Sequence, residues 1–454
     1  MTDDALDAVL TGVSERVTPD AEERARLDEA VYRLADATER AVADRAVEAD
    51  VVHVGSSARG TWLPGDRDID LFVRFPPDLP REDLERHGLA VGHRVLPDGR
   101  EEYAEHPYVT GDFDGFAVDL VPCFRVERAS DVRSAVDRTP FHTRYLDSRL
   151  DAGLAADVRL AKAFLSAIGV YGSDLRTRGF SGYLVELLTL EHGGFRSLIE
   201  AAADWRSPVR FDPEDHGDAG NEGFDDPLVV VDPTDPGRNV AAVLSTSNLA
   251  RFQHYARDLL ADSRESAFVA DPPTPLAASE VRAEIERRGT IPVAVRFDAP
   301  DLVADQLYPQ LERSRRGVVD ALDRRGFDPL RSAAFADDSA ALFVELAVAE
   351  RPQIERHKGP PVSAHKHATA FHEKYADADC YGPFIDGGRY VVERDRTFPS
   401  PRAFLESDAL FDVALGADIE RALAADYTVL VGSETAALAD EFGAELARYF
   451  APRP

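Results

Sequence analysis

Apolar positions Val13, Val17, Leu27, Val31, Leu34, Ala37 and Val42 recur at intervals of three, four and near multiples of these. That spacing predicts helix across residues 6–50. An apolar run at 51–54 predicts a first strand, followed by a small-residue turn at Gly55-Ser56 and a second strand over 68–73. Further strands are expected at 108–110 and 116–124, the latter alternating around Asp119 and stopping near Pro122. Residues 157–168 carry a clear amphipathic helix pattern, and 182–192 a second. Between 210 and 227 the composition turns to Asp, Gly and Pro, the mark of a long loop. A short buried strand at 228–231 leads into Asp232-Pro233-Thr234-Asp235-Pro236-Gly237-Arg238, and helix signals resume over 241–260. Asp271-Pro272-Pro273-Thr274-Pro275 reads as a linker. Beyond it come a strand at 293–297, a helix at 302–325 and strands near 332–335 and 341–348, an order that suits a small α+β layer domain. Residues 403–449 are expected to be helical. Internal repeats are absent. The pattern describes a multidomain chain of mixed α/β and α+β class.

At 454 residues the chain exceeds one core and calls for two to four domains of ordinary size. Segments 1–150, 151–270 and 271–454 are the expected division. With 44% hydrophobic residues it is no disordered chain. It lacks the roughly 18 uninterrupted apolar residues of a membrane span. The acidic start Met1-Thr2-Asp3-Asp4 has neither the basic nor the apolar region of a signal peptide. Cys123 and Cys380 are the only cysteines and build no disulfide framework. The expectation is a soluble, cytoplasmic protein without a membrane partner.

Asp and Glu total 83 against 52 Lys and Arg, a formal net charge of −31. Only four of those cations are lysines (Lys162, Lys358, Lys366 and Lys374), leaving 52 − 4 = 48 arginines. An acidic surface almost stripped of lysine matches a salt-rich cytoplasm, where a Debye length of about 3 Å at 1 M salt screens self-repulsion. The competing reading is an acidic mesophilic protein that avoids polyanions. Under the first, the net charge leaves a local basic patch free to bind nucleic acid.

Side chains at i and i+2 of a strand point the same way, so Asp68 and Asp70 can share one divalent ion. Flanked by Ile69, Leu71, Phe72 and Val73, such a pair is costly to bury unpaired. Mg²⁺ removes that cost, since it favours carboxylates together with substrate phosphates. Gly55 lets a phosphate approach the backbone, and the Ser56 hydroxyl can donate to it. Asp119 sits in an apolar strand run and becomes the third carboxylate if that strand neighbours 68–73. Three acids can hold two metal ions, one gripping a triphosphate and one activating an incoming hydroxyl. Each acid alone is commonplace; the combination and spacing point to a metal-bound nucleoside triphosphate. Lys162, the one lysine of the first 357 residues, suits a phosphate as a point charge. Residues 356–374 gather Arg356, Lys358, Lys366, Lys374 and four histidines around Phe371, a candidate RNA contact. The plain alternative is a basic helix balancing an acidic neighbour.

The chain resembles archaeal, class I CCA-adding enzymes, tRNA nucleotidyltransferases of the polymerase-β superfamily. The resemblance is carried by Gly55-Ser56-Ser57-Ala58-Arg59-Gly60-Thr61-Trp62-Leu63, Asp68-Ile69-Asp70 and Val118-Asp119-Leu120-Val121-Pro122. Arg138-Thr139-Pro140-Phe141-His142-Thr143, Gly179-Phe180-Ser181-Gly182-Tyr183 and Asp232-Pro233-Thr234-Asp235 with Arg238 extend it. Lys358-Gly359-Pro360-Pro361-Val362 and Phe371-His372-Glu373-Lys374-Tyr375 carry it further. It implies a polymerase-β-like nucleotidyltransferase palm, a helical neck, an RRM-like α+β body and a helical tail. It also implies Mg²⁺ at Asp68, Asp70 and Asp119, although relatives can have Glu at the first position. Ser56 and Arg59 would contact the incoming nucleotide, and His142, Lys162 and Tyr171 its triphosphate and sugar. Arg238 would help read the base edge. The implied substrates are CTP, ATP and the 3′ end of tRNA, and the implied assembly is a homodimer. Read without the family, His142 also fits a turn histidine, Tyr171 a packed aromatic and Arg238 a partner for a neighbouring aspartate. The rival functions are a poly(A)- or oligoadenylate-type polymerase, a catalytically silent RNA-binding fold and a small-molecule nucleotidyltransferase.

Overall fold

The computed structural model of the protein describes residues 3–103, 105–128, 131–217 and 223–454. These divide into two compact units, with the boundary between Asp271 and Pro272 in the proline-rich segment.

The first unit opens with α1 (Asp3–Arg16) and α2 (Ala21–Ala43). The helical pattern over 6–50 is therefore broken, at Pro19-Asp20. The Asp20 carboxylate accepts the Glu23 N–H at 2.8 Å and Glu23 reaches back to the Asp20 amide, a capping box that restarts the helix. Next come β1 (Asp50–Val54), α3 (Gly55–Arg59), β2 (Asp68–Phe75), α4 (Arg81–Val95), β3 (Arg100–Tyr103), β4 (Pro107–Phe113) and β5 (Phe116–Phe124). The sheet order is β1-β2-β5-β4-β3, with β2 and β5 parallel and the other neighbours antiparallel. The expected turn at Gly55-Ser56 is instead the first turn of α3. No helix was expected at α4, because its buried stripe is only Leu84, Gly88, Val91 and Gly92. Its glycines pack where a Cβ would lie 2.5 Å from Pro122 and 2.4 Å from Val109. Contact between helix and sheet is made there by absent side chains, which hydrophobic periodicity does not register.

Helices α5 (Thr139–Asp147), α6 (Ala152–Ala167), α7 (Gly182–His192), α8 (Phe195–Asp204) and α9 (Thr246–Ala261) complete this unit, with the strands β6 (Val209–Phe211), β7 (Leu228–Asp232) and β8 (Asp235–Asn239). His142 thus lies on a helix and not in a turn. Residues 151–270 are not wholly helical, since β6, β7 and β8 form a small sheet. Phe164, Phe180, Phe195 and Phe252 lie at the centre of the core that α6 to α9 share.

The second unit contains α10 (Ala278–Arg288), β9 (Ile291–Asp298), α11 (Ala304–Arg324), β10 (Pro329–Ala336), β11 (Ser339–Leu346), β12 (Ile354–Pro361), α12 (His365–Tyr375), β13 (Tyr381–Asp386), β14 (Arg389–Asp395), α13 (Pro401–Leu405), α14 (Ala417–Ala425), β15 (Thr428–Val431) and α15 (Ala439–Phe450). One antiparallel sheet has the order β10-β11-β9-β15. One face of it packs on α11, α13 and α14, the other on α10 and α15, so every residue of β11 is buried. The expectation of an all-helical segment at 403–449 fails at β15. Four residues, Thr428-Val429-Leu430-Val431, are too short a run to betray a strand before β9 is there to pair with it. A second sheet, β12-β14-β13, carries α12 on one face, where Phe371 stacks against His357 at 5.7 Å. Among the described residues no helix is long and apolar enough to cross a membrane.

Candidate active site

The parallel pairing of β2 with β5 sets Asp70 directly opposite Asp119 and Asp68 opposite Ala117. The neighbour relation on which the third carboxylate depended is therefore present. Ile69, Leu71, Val118 and Leu120 pack against Leu27 and Leu34 of α2, which turns the acids toward the other face of the sheet. Burial, followed by the charges of Asp119 and Asp68, raises the Asp70 carboxyl to about 6. Asp68 is raised by burial, Asp66 and Asp119. Asp119 is raised by burial against a hydrogen bond from Thr110. Asp119 thus raises both other acids and Asp68 raises Asp70, a clustering of like charge that favours a cation beside them. The donors are all hard oxygens, the set that Mg²⁺ prefers. Among the described residues no three His, Cys, Asp or Glu side chains close around a single point. The acids line a patch and do not form a finished cage, as suits an ion that takes part of its shell from phosphates and water.

Gly55 is positioned by this patch. Its φ is +81°, and a Cβ there would lie 2.2 Å from Asp70 Oδ2. Its missing side chain makes room for the Asp70 carboxylate. Ser56 is half-buried on α3, its carbonyl accepting the Thr61 amide at 3.1 Å. Ser57 is hydrogen-bonded to His53 Nε2 at 2.9 Å. Burial, then Arg59, lowers the His53 pKa to about 4 against an opposing effect of Asp28.

Arg59 and Lys162 meet in a buried network that sequence reasoning missed. Arg59 Nε and Nη2 donate to the two carboxylate oxygens of Glu186 at 3.2 and 2.8 Å, and Nη1 donates to Thr143 Oγ1 at 3.1 Å. Thr61 Oγ1 donates to Glu186 Oε1 at 2.5 Å and accepts from Lys162 Nζ at 3.4 Å. Lys162 is only 2% exposed. Tyr171 joins it at Gly182, where a Cβ would sit 3.2 Å from the Tyr171 hydroxyl and 4.0 Å from Lys162 Nζ. Burial raises the Tyr171 pKa. The available signal was Glu186 itself, an acid inside Leu184-Val185-Glu186-Leu187-Leu188.

His142 and Arg238 converge on a second buried acid. His142 Nε2 and Arg238 Nη1 each lie 2.8 Å from Asp232 Oδ2. Thr234 donates its N–H and hydroxyl to Oδ1, both at 2.9 Å. Burial opposes the charge on Asp232, but hydrogen bonding to His142 and that residue's charge outweigh it and depress the pKa. The His142 ring stacks on Tyr183 with centroids 4.0 Å apart. Pairing of Arg238 with a neighbouring aspartate, the plain alternative, is what its geometry displays.

In the second unit, strand register puts Arg356 and Lys358 on the same sheet face as Tyr381 and Phe384, the face away from α12. The Arg356 guanidinium lies 5.7 Å from the Phe384 ring centre and also pairs with Asp386. Lys366 and Lys374 are exposed on α12. The sequence-predicted basic segment is therefore divided between two faces.

Residues 36–142 match the nucleotidyltransferase domain family, 156–269 the tRNA nucleotidyltransferase second domain, and 288–432 the CCA-adding enzyme C-terminal domain. The chain is 60% identical to the CCA-adding enzyme of Halorubrum lacusprofundi and 59% identical to that of Haloarcula marismortui, in each case over 99% of this chain and 100% of the relative. It is 41% identical to the CCA-adding enzyme of Methanoregula boonei over 97% of this chain and 95% of the relative. Together with a carboxylate face on two parallel strands, these likenesses establish that the chain belongs to the archaeal CCA-adding enzyme family.

Proposed function

We propose that this CCA-adding enzyme transfers nucleotides to the tRNA 3′ end at the carboxylate face of β2 and β5, using CTP and ATP. The observation that carries the reading is the pairing of Asp70 with Asp119 on parallel strands, with Asp70 raised to about 6 by burial and its two acidic neighbours. Asp68, Asp70 and Asp119 would hold Mg²⁺. Bound there, the ion supplies charge neutralisation on the phosphates and a lowered pKa for the attacking hydroxyl. Ser56 on α3, with Lys162 and Tyr171 beside Gly182, forms the triphosphate side of the site. Arg59 braces α3 against α7 through Glu186. His142 and Arg238, held by Asp232, form the sugar and base side. In the reaction the RNA 3′ hydroxyl gives up its proton to solvent, its oxygen bonds to the α-phosphorus, the bond from that phosphorus to the β-phosphate oxygen breaks, and pyrophosphate leaves.

The reading assigns catalysis to 1–150, nucleotide contact to a neck at 151–270 and RNA contact to an RRM-like body and tail at 271–454. The antiparallel order β10-β11-β9-β15 with α11 after β9 supports the body. Two exposed aromatics beside Arg356 and Lys358 support an RNA surface, with Lys366 and Lys374 as further phosphate contacts. A homodimer rests on the family resemblance, and light scattering of the purified protein tests it.

The function is tested by extending tRNA that lacks its CCA end in Mg²⁺ and molar KCl, with CTP and ATP supplied singly and together. Two nucleotides from CTP and three from both are expected, with Asp70→Asn inactive. Long adenylate tails from ATP alone would move the chain to the poly(A) type, and tRNA binding without extension would make it a silent fold.

A further inference from the structure

Helix α7 is among the most apolar of the first unit, yet Glu186 sits in its middle with a side chain 1% exposed. An isolated buried carboxylate is costly, so its surroundings have to account for its charge. They supply two cations. Arg59 binds it bidentately, and Lys162 shares the Thr61 hydroxyl with it, that hydroxyl donating to Glu186 and accepting from Lys162. The charged groups facing Lys162 are Glu186 from α7, Arg59 from α3, Asp66 from the loop before β2 and Arg159 from its own helix. Asp66 is exposed, so Glu186 is the buried anion among them.

We propose that Glu186 is a positioning residue for nucleotide transfer: it keeps Lys162 charged at the triphosphate side of the site and fixes Arg59 beside it. The inference rests on the reading of Lys162 as a phosphate contact. Physically, burial pushes the Lys162 pKa down and Glu186 is the largest opposing influence. With Glu186 neutral, Lys162 faces Arg59 and Arg159 with only the exposed Asp66 in compensation. Its ammonium then sheds a proton as pH rises, and the triphosphate loses a point charge. Arg59, always protonated, keeps its charge but loses its aim.

The low lysine count makes the test direct. Full-length protein labelled with ¹³C,¹⁵N-lysine has four lysine Cε signals to resolve, and Lys162→Met identifies the one that matters. In Glu186→Gln the Lys162 titration midpoint is expected to fall by about one pH unit or more, with Glu186→Asp restoring most of it. In parallel, KM for CTP in Glu186→Gln should rise roughly tenfold per pH unit above that midpoint while kcat holds. An unchanged midpoint in Glu186→Gln overturns the proposal. If that variant fails to fold, Thr61→Val, which removes the hydroxyl that links Glu186 to Lys162, is expected to lower the same midpoint by a smaller amount, and an unchanged midpoint there likewise overturns the proposal. Lys162→Met with wild-type CTP affinity would instead refute the phosphate reading, independently of the titration.

Discussion

Replacing Gly55 with alanine tests the geometry of the carboxylate face most severely. The added Cβ would lie 2.2 Å from Asp70 Oδ2 and 3.1 Å from its Cγ. Restoring an ordinary contact of 3.4 Å requires a relative movement of 3.4 − 2.2 = 1.2 Å. The carboxylate end of Asp70 can turn away about its own torsions at small cost, whereas neither backbone can follow. Gly55 leads directly from β1 into α3, and Asp70 is fixed in a strand paired on both sides, to β1 and β5. The φ of +81° adds strain of about 1–2 kcal/mol for any L side chain. A catalytic group displaced by about 1 Å costs on the order of 10² in rate. Gly55→Ala should therefore lose about a hundredfold in kcat for CMP addition, with a stability loss of only about 1–2 kcal/mol. Single-turnover extension of tRNA and thermal melting at molar KCl measure the two. A variant that melts lower but turns over normally would refute the claim that Gly55 makes room for the Asp70 carboxylate.

Asp232→Asn keeps the shape of the buried acid but removes the counter-charge of Arg238 and the carboxylate that His142 hydrogen-bonds. It should raise KM for both nucleotides and lower stability by about 2 kcal/mol, less than for a fully buried pair because Arg238 is 37% exposed. Steady-state kinetics with CTP and ATP, alongside denaturant titration, check it. His53 predicts a pH dependence of stability. Its folded pKa of about 4 lies below the unfolded value of about 6.5, so the unfolded chain binds more protons between these values. The His53 contribution should be complete above pH 6.5 and fall progressively toward pH 4, by up to about 3 kcal/mol, while Asp70, raised to about 6, acts in the opposite sense; the difference between the wild type and His53→Gln in urea titrations across that window isolates it. Arg356→Ala and Lys358→Ala should each weaken tRNA binding by several-fold and lower the slope of log affinity against log salt by about one. Fluorescence anisotropy across a KCl series reads this out, and an unchanged slope would remove them from the RNA surface.

What the chain determined by itself was mostly local or periodic. Asp68 and Asp70 share a strand face because side chains alternate, a rule that needs no partner strand. The strand at Phe116–Phe124 was legible from its apolar run, and the unit boundary from consecutive prolines. The scarcity of lysine singled out Lys162 before any contact was visible. Tertiary structure decided what depends on residues distant in sequence. The third carboxylate joins the other two only because β5 pairs in parallel with β2 in a register that sets Asp119 opposite Asp70. The family resemblance makes Arg59 a nucleotide contact, and only the fold shows that Glu186, 127 positions away, takes up two of its guanidinium nitrogens. The same holds for His142 and Asp232, 90 positions apart. Helix α4 and strand β15 escaped notice for a related reason. One packs through glycines, and the other is four residues that become a strand only when β9 offers its edge. A buried charge is stable only with its partner, and the fold, not the local pattern, brings that partner to it.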